Sequence, residues 1–186
     1  MSPLLPPEPS LLLERKEAIQ AKKIRFEINR IKLPIGLENT FGVIKHPGAS
    51  LAVPITKEGK LVVLRQYRFA VEQRILEFPA GTLEEGESPL ISMKRELAEE
   101  AGYEANKWDH LGEMLPCPGY SNEVIHMFLA RGLNKLEEPP AGDEDEDMEI
   151  LHLFPKELDK LISSGDEALD GKSITALYRA KQFIND

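Results

Sequence analysis

Gly81-Thr82-Leu83-Glu84-Glu85-Gly86-Glu87 and, after seven further residues, Arg95-Glu96-Leu97-Ala98-Glu99-Glu100-Ala101-Gly102-Tyr103 decide the reading of this chain. The first stretch is a glycine loop. Ser88-Pro89 then starts a helix, with serine as N-cap and proline at the first helical position. Gly102 ends it as the residue after the last turn. Three glutamates, Glu96, Glu99 and Glu100, therefore share one short helix. Carboxylates held that close repel one another unless something cationic sits among them. A hard divalent metal ion is the simplest candidate.

At 100° per residue, Glu100 falls about 40° to one side of Glu96 and Glu99 about 60° to the other. Met93, Leu97, Leu90 and Ala101 form an apolar stripe beyond Glu100, and that stripe must face the core. Glu96 and Glu100 border the stripe and do not lie on the far, solvated side. A carboxylate at such a boundary is partly desolvated and needs a counter-charge. Arg95 sits four residues before Glu99 and can pair with it, but one arginine does not neutralise three acids. The plainer alternative is a charged helix face laced with salt bridges.

Composition bounds the rest. The 186 residues suffice for one domain with a sizeable core plus an appendage. The hydrophobic share of 41% and charged share of 30% are ordinary for a globular protein. A net charge of −9 argues against nucleic acid as a main partner. It leaves room for a small phosphate-bearing molecule, because bound metal inverts a local field. The single cysteine, Cys117, points to a reducing, cytoplasmic setting. No apolar run is long enough to span a bilayer. Met1 to Leu13 lacks a basic start and is broken by prolines, so it reads as a mobile tail and a poor signal peptide.

Lys23 to Leu33 alternates as a strand, with a slip of phase near Asn29-Arg30 that suggests a bulge or turn. Thr40 to Lys45 is a second short strand. Leu51 to Ile55 and Leu61 to Tyr67 flank Lys57-Glu58-Gly59-Lys60 as a hairpin. Another short strand runs into Phe78-Pro79-Ala80-Gly81. Trp108 to Leu115 and Val124 to Ala130 read as strands around the Pro116 to Asn122 turn. Glu149 to Phe154 is the last strand, followed by helices from Pro155 to about Ile162 and from about Ser173 to Ile184. This order predicts an α/β (α+β) fold: a mixed sheet layered between helices.

The spacing from Gly81 to Tyr103 resembles the Nudix box: Gly, five residues, Glu87, seven residues, then Arg95-Glu96, an aliphatic residue, and Glu99-Glu100 before Gly102. The softest match is Tyr103, where an aliphatic residue is usual. The resemblance covers about Lys23 to Phe183 and implies the Nudix fold with an N-terminal β-strand appendage. It implies residues 1–50 as tail and dimerisation appendage and 51–186 as the hydrolase domain. It further implies a loop and helix that hold magnesium or manganese and align a pyrophosphate for attack by water. By motif position, Glu96 and Glu100 are the principal metal ligands, Glu99 assists, and the Ala80 carbonyl adds an oxygen. Arg95 orients a glutamate and Glu87 braces the loop. Oxygen-only ligation suits magnesium. Gly81 lets the backbone come close to metal or phosphate.

Flanking residues resemble the ADP-ribose pyrophosphatase branch. They are Val63-Leu64-Arg65-Gln66-Tyr67-Arg68, Glu77-Phe78-Pro79-Ala80-Gly81, and Pro118-Gly119-Tyr120-Ser121-Asn122-Glu123. The branch implies Arg65, Tyr67, Arg68, Gly81, Pro118, Gly119 and Glu123 as substrate-binding residues and a homodimer as the working form. Arg65 and Arg68 also read as solvent-facing strand residues, Tyr67 as half-buried core, Pro118-Gly119 as a plain hairpin turn, and Glu123 as a surface residue. In the branch, an acidic loop before the last strand supplies a glutamate that acts on the attacking water. Here that loop is Asp143-Glu144-Asp145-Glu146-Asp147, with Glu146 placed first, Glu144 second and Glu149 third. The plain alternative is a solvated loop.

The activity implied is magnesium-dependent hydrolysis of ADP-ribose to AMP and ribose 5-phosphate. Rival readings are a sugar nucleotide, NADH or FAD as substrate, and a non-catalytic sensor of an ADP-ribose-type ligand. His46, His110, His126 and His152 show no ligand spacing, so His126 and His152 read as packing or surface residues and not as zinc ligands. Cys117 takes no nucleophile role.

Overall fold

The computed structural model describes residues 8–142 and 147–184. Its first element is one that sequence patterning does not reveal, strand β1 (Leu11–Ala21). Every residue of β1 is exposed, so no buried face stamps a period of two on it. Leu11 to Leu13 thus belong to a strand, which corrects their assignment to a mobile tail. β1 pairs antiparallel with β2 (Ile24–Lys32), and β2 with β3 (Glu38–Lys45), to make a three-stranded sheet.

β2 runs evenly against β3 through Asn29↔Phe41 and Arg30↔Thr40, so the expected bulge at Asn29-Arg30 is absent. The irregularities fall in β1 instead, between Leu12 and Glu14 and between Arg15 and Glu17. The buried positions of β2 are polar. Glu27 accepts a hydrogen bond from Asn29 Nδ2 at 2.9 Å and pairs with Arg25 and Arg15 at 3.0 and 3.2 Å. Ile24 and Phe26, with Ile19 of β1, are exposed on the other face.

The main sheet has seven strands: β4 (Ala49–Ile55), β5 (Leu61–Arg68), β6 (Gln73–Glu77), β7 (Ala80–Thr82), β8 (Tyr103–Met114), β9 (Ile125–Lys135) and β10 (Met148–Leu153). Its order is β10-β5-β4-β9-β8, with β6 on β5 and β7 on β4. β4 and β9 run parallel and the other pairs antiparallel, so the sheet is mixed. The β4–β5 hairpin pairs only at Ile55↔Leu61 and then splays. The chain from β6 to β7 wedges into the opening, where Ala52 N–H donates to the Pro79 carbonyl at 3.0 Å.

Alternation along β4 and β5 divides the apolar residues between the two faces. Leu51, Val53, Leu61 and Val63 pack with Phe78, Leu129, Leu158 and Leu177. That core lies under helices α2 (Pro155–Ser164) and α3 (Gly171–Ile184). Ala52, Val62 and Phe128 pack with Met93 and Leu97 of helix α1 (Pro89–Ala101). The sheet is therefore layered between α1 and the α2–α3 pair, as expected. Helix α1 begins where the sequence places it: Ser88 Oγ accepts from Ile91 N–H at 3.4 Å, and Gly102 closes it at φ 69°.

Candidate active site

The splay sets the position of Ala80 and Gly81, and α1 is laid directly over them. Ala80 N–H donates to Glu100 Oε2 at 2.9 Å. Glu96 crosses the face of Gly81 so closely that a Cβ there would overlap its Cδ and Oε1. Glycine at position 81 is thus demanded by the carboxylate of α1. Both acids are nearly buried, Glu96 at 9% and Glu100 at 6% exposure. This agrees with their place at the border of the apolar stripe.

Arg95 threads the cluster. Its Nη1 lies 2.8 Å from Glu96 Oε1 and donates to Glu99 Oε2 at 2.9 Å. Its Nε and Nη2 each donate to Glu87, at 3.2 Å. The Glu87 hydrogen bonds raise the Arg95 guanidinium above its ordinary value, so it stays charged. In return, the hydrogen bonds from Arg95 hold the Glu87 carboxyl below the usual carboxylate range. The loop glutamate, the arginine and two helix glutamates are one linked unit.

A second ion-pair group stands on the same side of the sheet. Arg68 Nε and Nη2 donate to the two oxygens of Glu77, at 2.6 and 2.8 Å. Lys172, at the start of α3, also bonds Glu77 and Asp170. Burial works to raise the Glu77 carboxyl, but Arg68 and Lys172 outweigh it, and the group sits below its ordinary value. The charge of Glu100 also acts on Arg68. Arg68 is thus fixed near the carboxylates with part of its guanidinium still in solvent.

The remaining expected site residues are dispersed. Arg65 and Tyr67 fall on the opposite strand face from Arg68. Arg65 pairs with Glu149 at 2.7 Å and with Glu167. Tyr67 is exposed. Pro118 and Gly119 are exposed in a turn where Tyr120 and Ser121 N–H both donate to the Cys117 carbonyl. That turn is tied to β3 by Ile44 N–H donating to the Tyr120 carbonyl at 2.7 Å. Glu123 lies 3.8 Å from His46 Nδ1. Glu144 and Glu146 lie outside the described residues. Asp147, beside them, accepts at its carbonyl from Tyr67 N–H at 3.0 Å and pairs with Arg74.

The donor set suits the group the sequence suggests. Glu96, Glu99 and Glu100 offer oxygens only, two of them nearly buried, against a glycine that leaves no room for a side chain. Such a site fits a hard divalent ion. The sequence alone does not reveal the role of Glu77, because Lys172 and Asp170 lie some ninety positions away. Nor does it reveal a meeting of His110, Glu113 and His126, whose ligand atoms all lie within 4.8 Å of one another.

Residues 45–169 match the model of the NUDIX domain. The chain belongs to the NUDIX domain family. Full-length relatives extend the likeness beyond the matched residues. The chain is 36% identical over 165 residues, 89% of each chain, to an ADP-ribose pyrophosphatase of Bacillus subtilis. It is 33% identical over 172 residues to a methanol dehydrogenase activator of Bacillus methanolicus, covering 92% of this chain and 88% of that one. The solved structure of an ADP compounds hydrolase superposes with a TM-score of 0.80 at 22% identity, covering 95% and 94% of the two chains. That last likeness supports the Nudix fold, including the strands that precede the main sheet.

Proposed function

We propose that this Nudix hydrolase cleaves the pyrophosphate bond of ADP-ribose to give AMP and ribose 5-phosphate. The observation that carries the reading is the intact carboxylate cradle, Glu96 on Gly81 and Glu100 on Ala80 N–H. The substrate follows from the 36% identical ADP-ribose pyrophosphatase, aligned over 89% of both chains. The same relative gives no support to a sugar nucleotide, a dinucleotide or a sensor role.

In this reading Glu96 and Glu100 hold magnesium, with manganese as a substitute, and Glu99 and the Ala80 carbonyl complete the set. When bound, a divalent ion neutralises charge on the pyrophosphate oxygens and makes water a nucleophile near neutral pH. Arg95 holds Glu96 and Glu99 in their rotamers, and Glu87 holds Arg95. Arg68, oriented by Glu77, presents donors to a phosphate. Glu146, or else Glu144, takes the proton of the attacking water. Glu149 is the weaker choice, since it is engaged with Arg65 on the far face. Arg65, Tyr67, Gly81, Pro118, Gly119 and Glu123 complete the substrate contacts.

Residues 1–50 serve as the appendage of a homodimer, and residues 51–186 as the hydrolase domain. The exposed apolar side chains Ile19, Ile24 and Phe26 support that division. No helix among the described residues is long and apolar enough to cross a membrane. With Cys117 free, a cytoplasmic setting fits.

The test is phosphate release from ADP-ribose through a coupled phosphatase, with EDTA as control. Glu100→Gln keeps an acceptor for Ala80 N–H, so it should fold normally while losing about a hundredfold or more in turnover. Wild-type turnover by that variant, or a ligand-induced melting shift with no product from the wild type, overturns the reading.

A further inference from the structure

The end of β8 contains a phase change with a chemical result. β8 pairs His110 with Phe128, Gly112 with Met127 and Glu113 with His126, so the register slips by one between His110 and Gly112. Residues three apart on a regular strand face opposite sides of a sheet. The slip cancels that, and His110 and Glu113 emerge together on the face of His126 and Phe128. Leu111 turns to the other side, into the core with Met127 and Leu129. Gly112, at φ 102°, is the residue that permits the bulge.

Glu113 Oε1 and His126 Nδ1 stand 3.2 Å apart across the strand pair. The His110 ring is steadied by Phe128, at 5.3 Å between centroids. Beside them opens a cavity of about 380 Å³, lined by Glu113, His126, His46 and Asn122 among others. Two imidazoles and one carboxylate, with room for a further ligand, are the donor set of an open zinc-type site. They are a poor set for magnesium, which prefers oxygen throughout.

We propose that His110, Glu113 and His126 form a second metal site, one that takes Zn²⁺ or a similar borderline divalent ion. It is distinct from the carboxylate cradle. Gly81 pairs with Ser50, and Ser50 with His126. Two strand spacings, about 10 Å, thus separate His126 from Gly81. An ion here cross-links β8 to β9 beside the turn that carries Pro118 and Gly119. The proposal does not depend on which nucleotide the cradle cleaves.

The experiment uses the full chain, stripped with a chelator and titrated with Co²⁺ and then Zn²⁺ in excess Mg²⁺. The wild type is expected to bind one Co²⁺ with visible ligand-field absorption, to lose the band to Zn²⁺, and to melt higher with Zn²⁺ bound. His110→Ala and His126→Ala should lose the band and weaken Zn²⁺ by more than the roughly tenfold to hundredfold that an outer partner costs. Glu100→Gln should keep both band and melting shift. A wild type with no band, a Glu100→Gln variant without one, or histidine variants that bind as the wild type does would each overturn the proposal. His110 is exposed, so His110→Ala keeps the test decisive if His126→Ala fails to fold.

Discussion

At Gly81 one added methyl separates site from fold. Glu96 occupies the space a Cβ would need, and it is the far end of a flexible side chain. Gly81→Ala should therefore displace the carboxylate and leave the strand in place. The expected outcome is a loss of turnover of about a hundredfold with a stability change within about 1 kcal/mol, read by ADP-ribose assay and thermal melting. A variant that unfolds would show that Glu96 has no room to move aside, and one that turns over normally would show that Glu96 does not need this path. The glycine itself was legible in the sequence, but its reason was not. The family resemblance implies close approach of metal or phosphate. The structure shows approach of a glutamate fifteen positions later, and only the docking of α1 reveals it.

At the scale of elements, the β5–β6–α3 ion-pair group makes stability depend on acid. The Glu77 carboxyl is held below its ordinary value, so its contribution is present above that value and is lost as pH falls through the lowered one. The wild-type melting temperature should drop steeply below the ordinary carboxylate range. Glu77→Gln, which leaves Arg68 and Lys172 facing an uncharged amide, should cost about 3 kcal/mol at neutral pH and flatten that acid slope. Melting curves across the acid range check both. Helix α1 was legible to the residue because its start and stop chemistry is local: Ser88-Pro89 at one end, Gly102 at the other. β1 was not, since a wholly exposed strand carries no hydrophobic period. The β8 bulge was hidden because a phase slip makes His110 and Glu113 look as though they face opposite ways. Gly112 was its only local mark.

For the whole molecule, layering could be read from element order, but pairing could not. The parallel contact of β4 with β9 joins residues such as Ala49 and Ile125, and nothing in either segment names the other. The proposed homodimer is tested on the three-stranded sheet. Ile19 pairs with Phe26 across β1 and β2, and the Phe26 ring lies over Gly42 on β3, leaving an apolar surface exposed. If that surface is the dimer contact, Phe26→Glu should shift the mass measured by light scattering from dimer to monomer. The main sheet should keep its melting transition. An unchanged mass would place the contact elsewhere.

Pro54 gives the splay of β4 from β5 a kinetic meaning. Ala52 turns its N–H toward the wedge, so the alternate residue, Pro54, faces the same way with no N–H to donate. A β4–β5 hairpin zipped along its full length would need that donor and would shut out residues 77–80, leaving Glu100 without the Ala80 N–H it accepts from. The proline thus takes one ladder bond, about 1 kcal/mol, from a hairpin that local closure favours early. Pro54→Ala should refold with an added slow phase and regain ADP-ribose turnover later than it regains strand signal in circular dichroism. Simultaneous recovery of the two would show that the hairpin never competes.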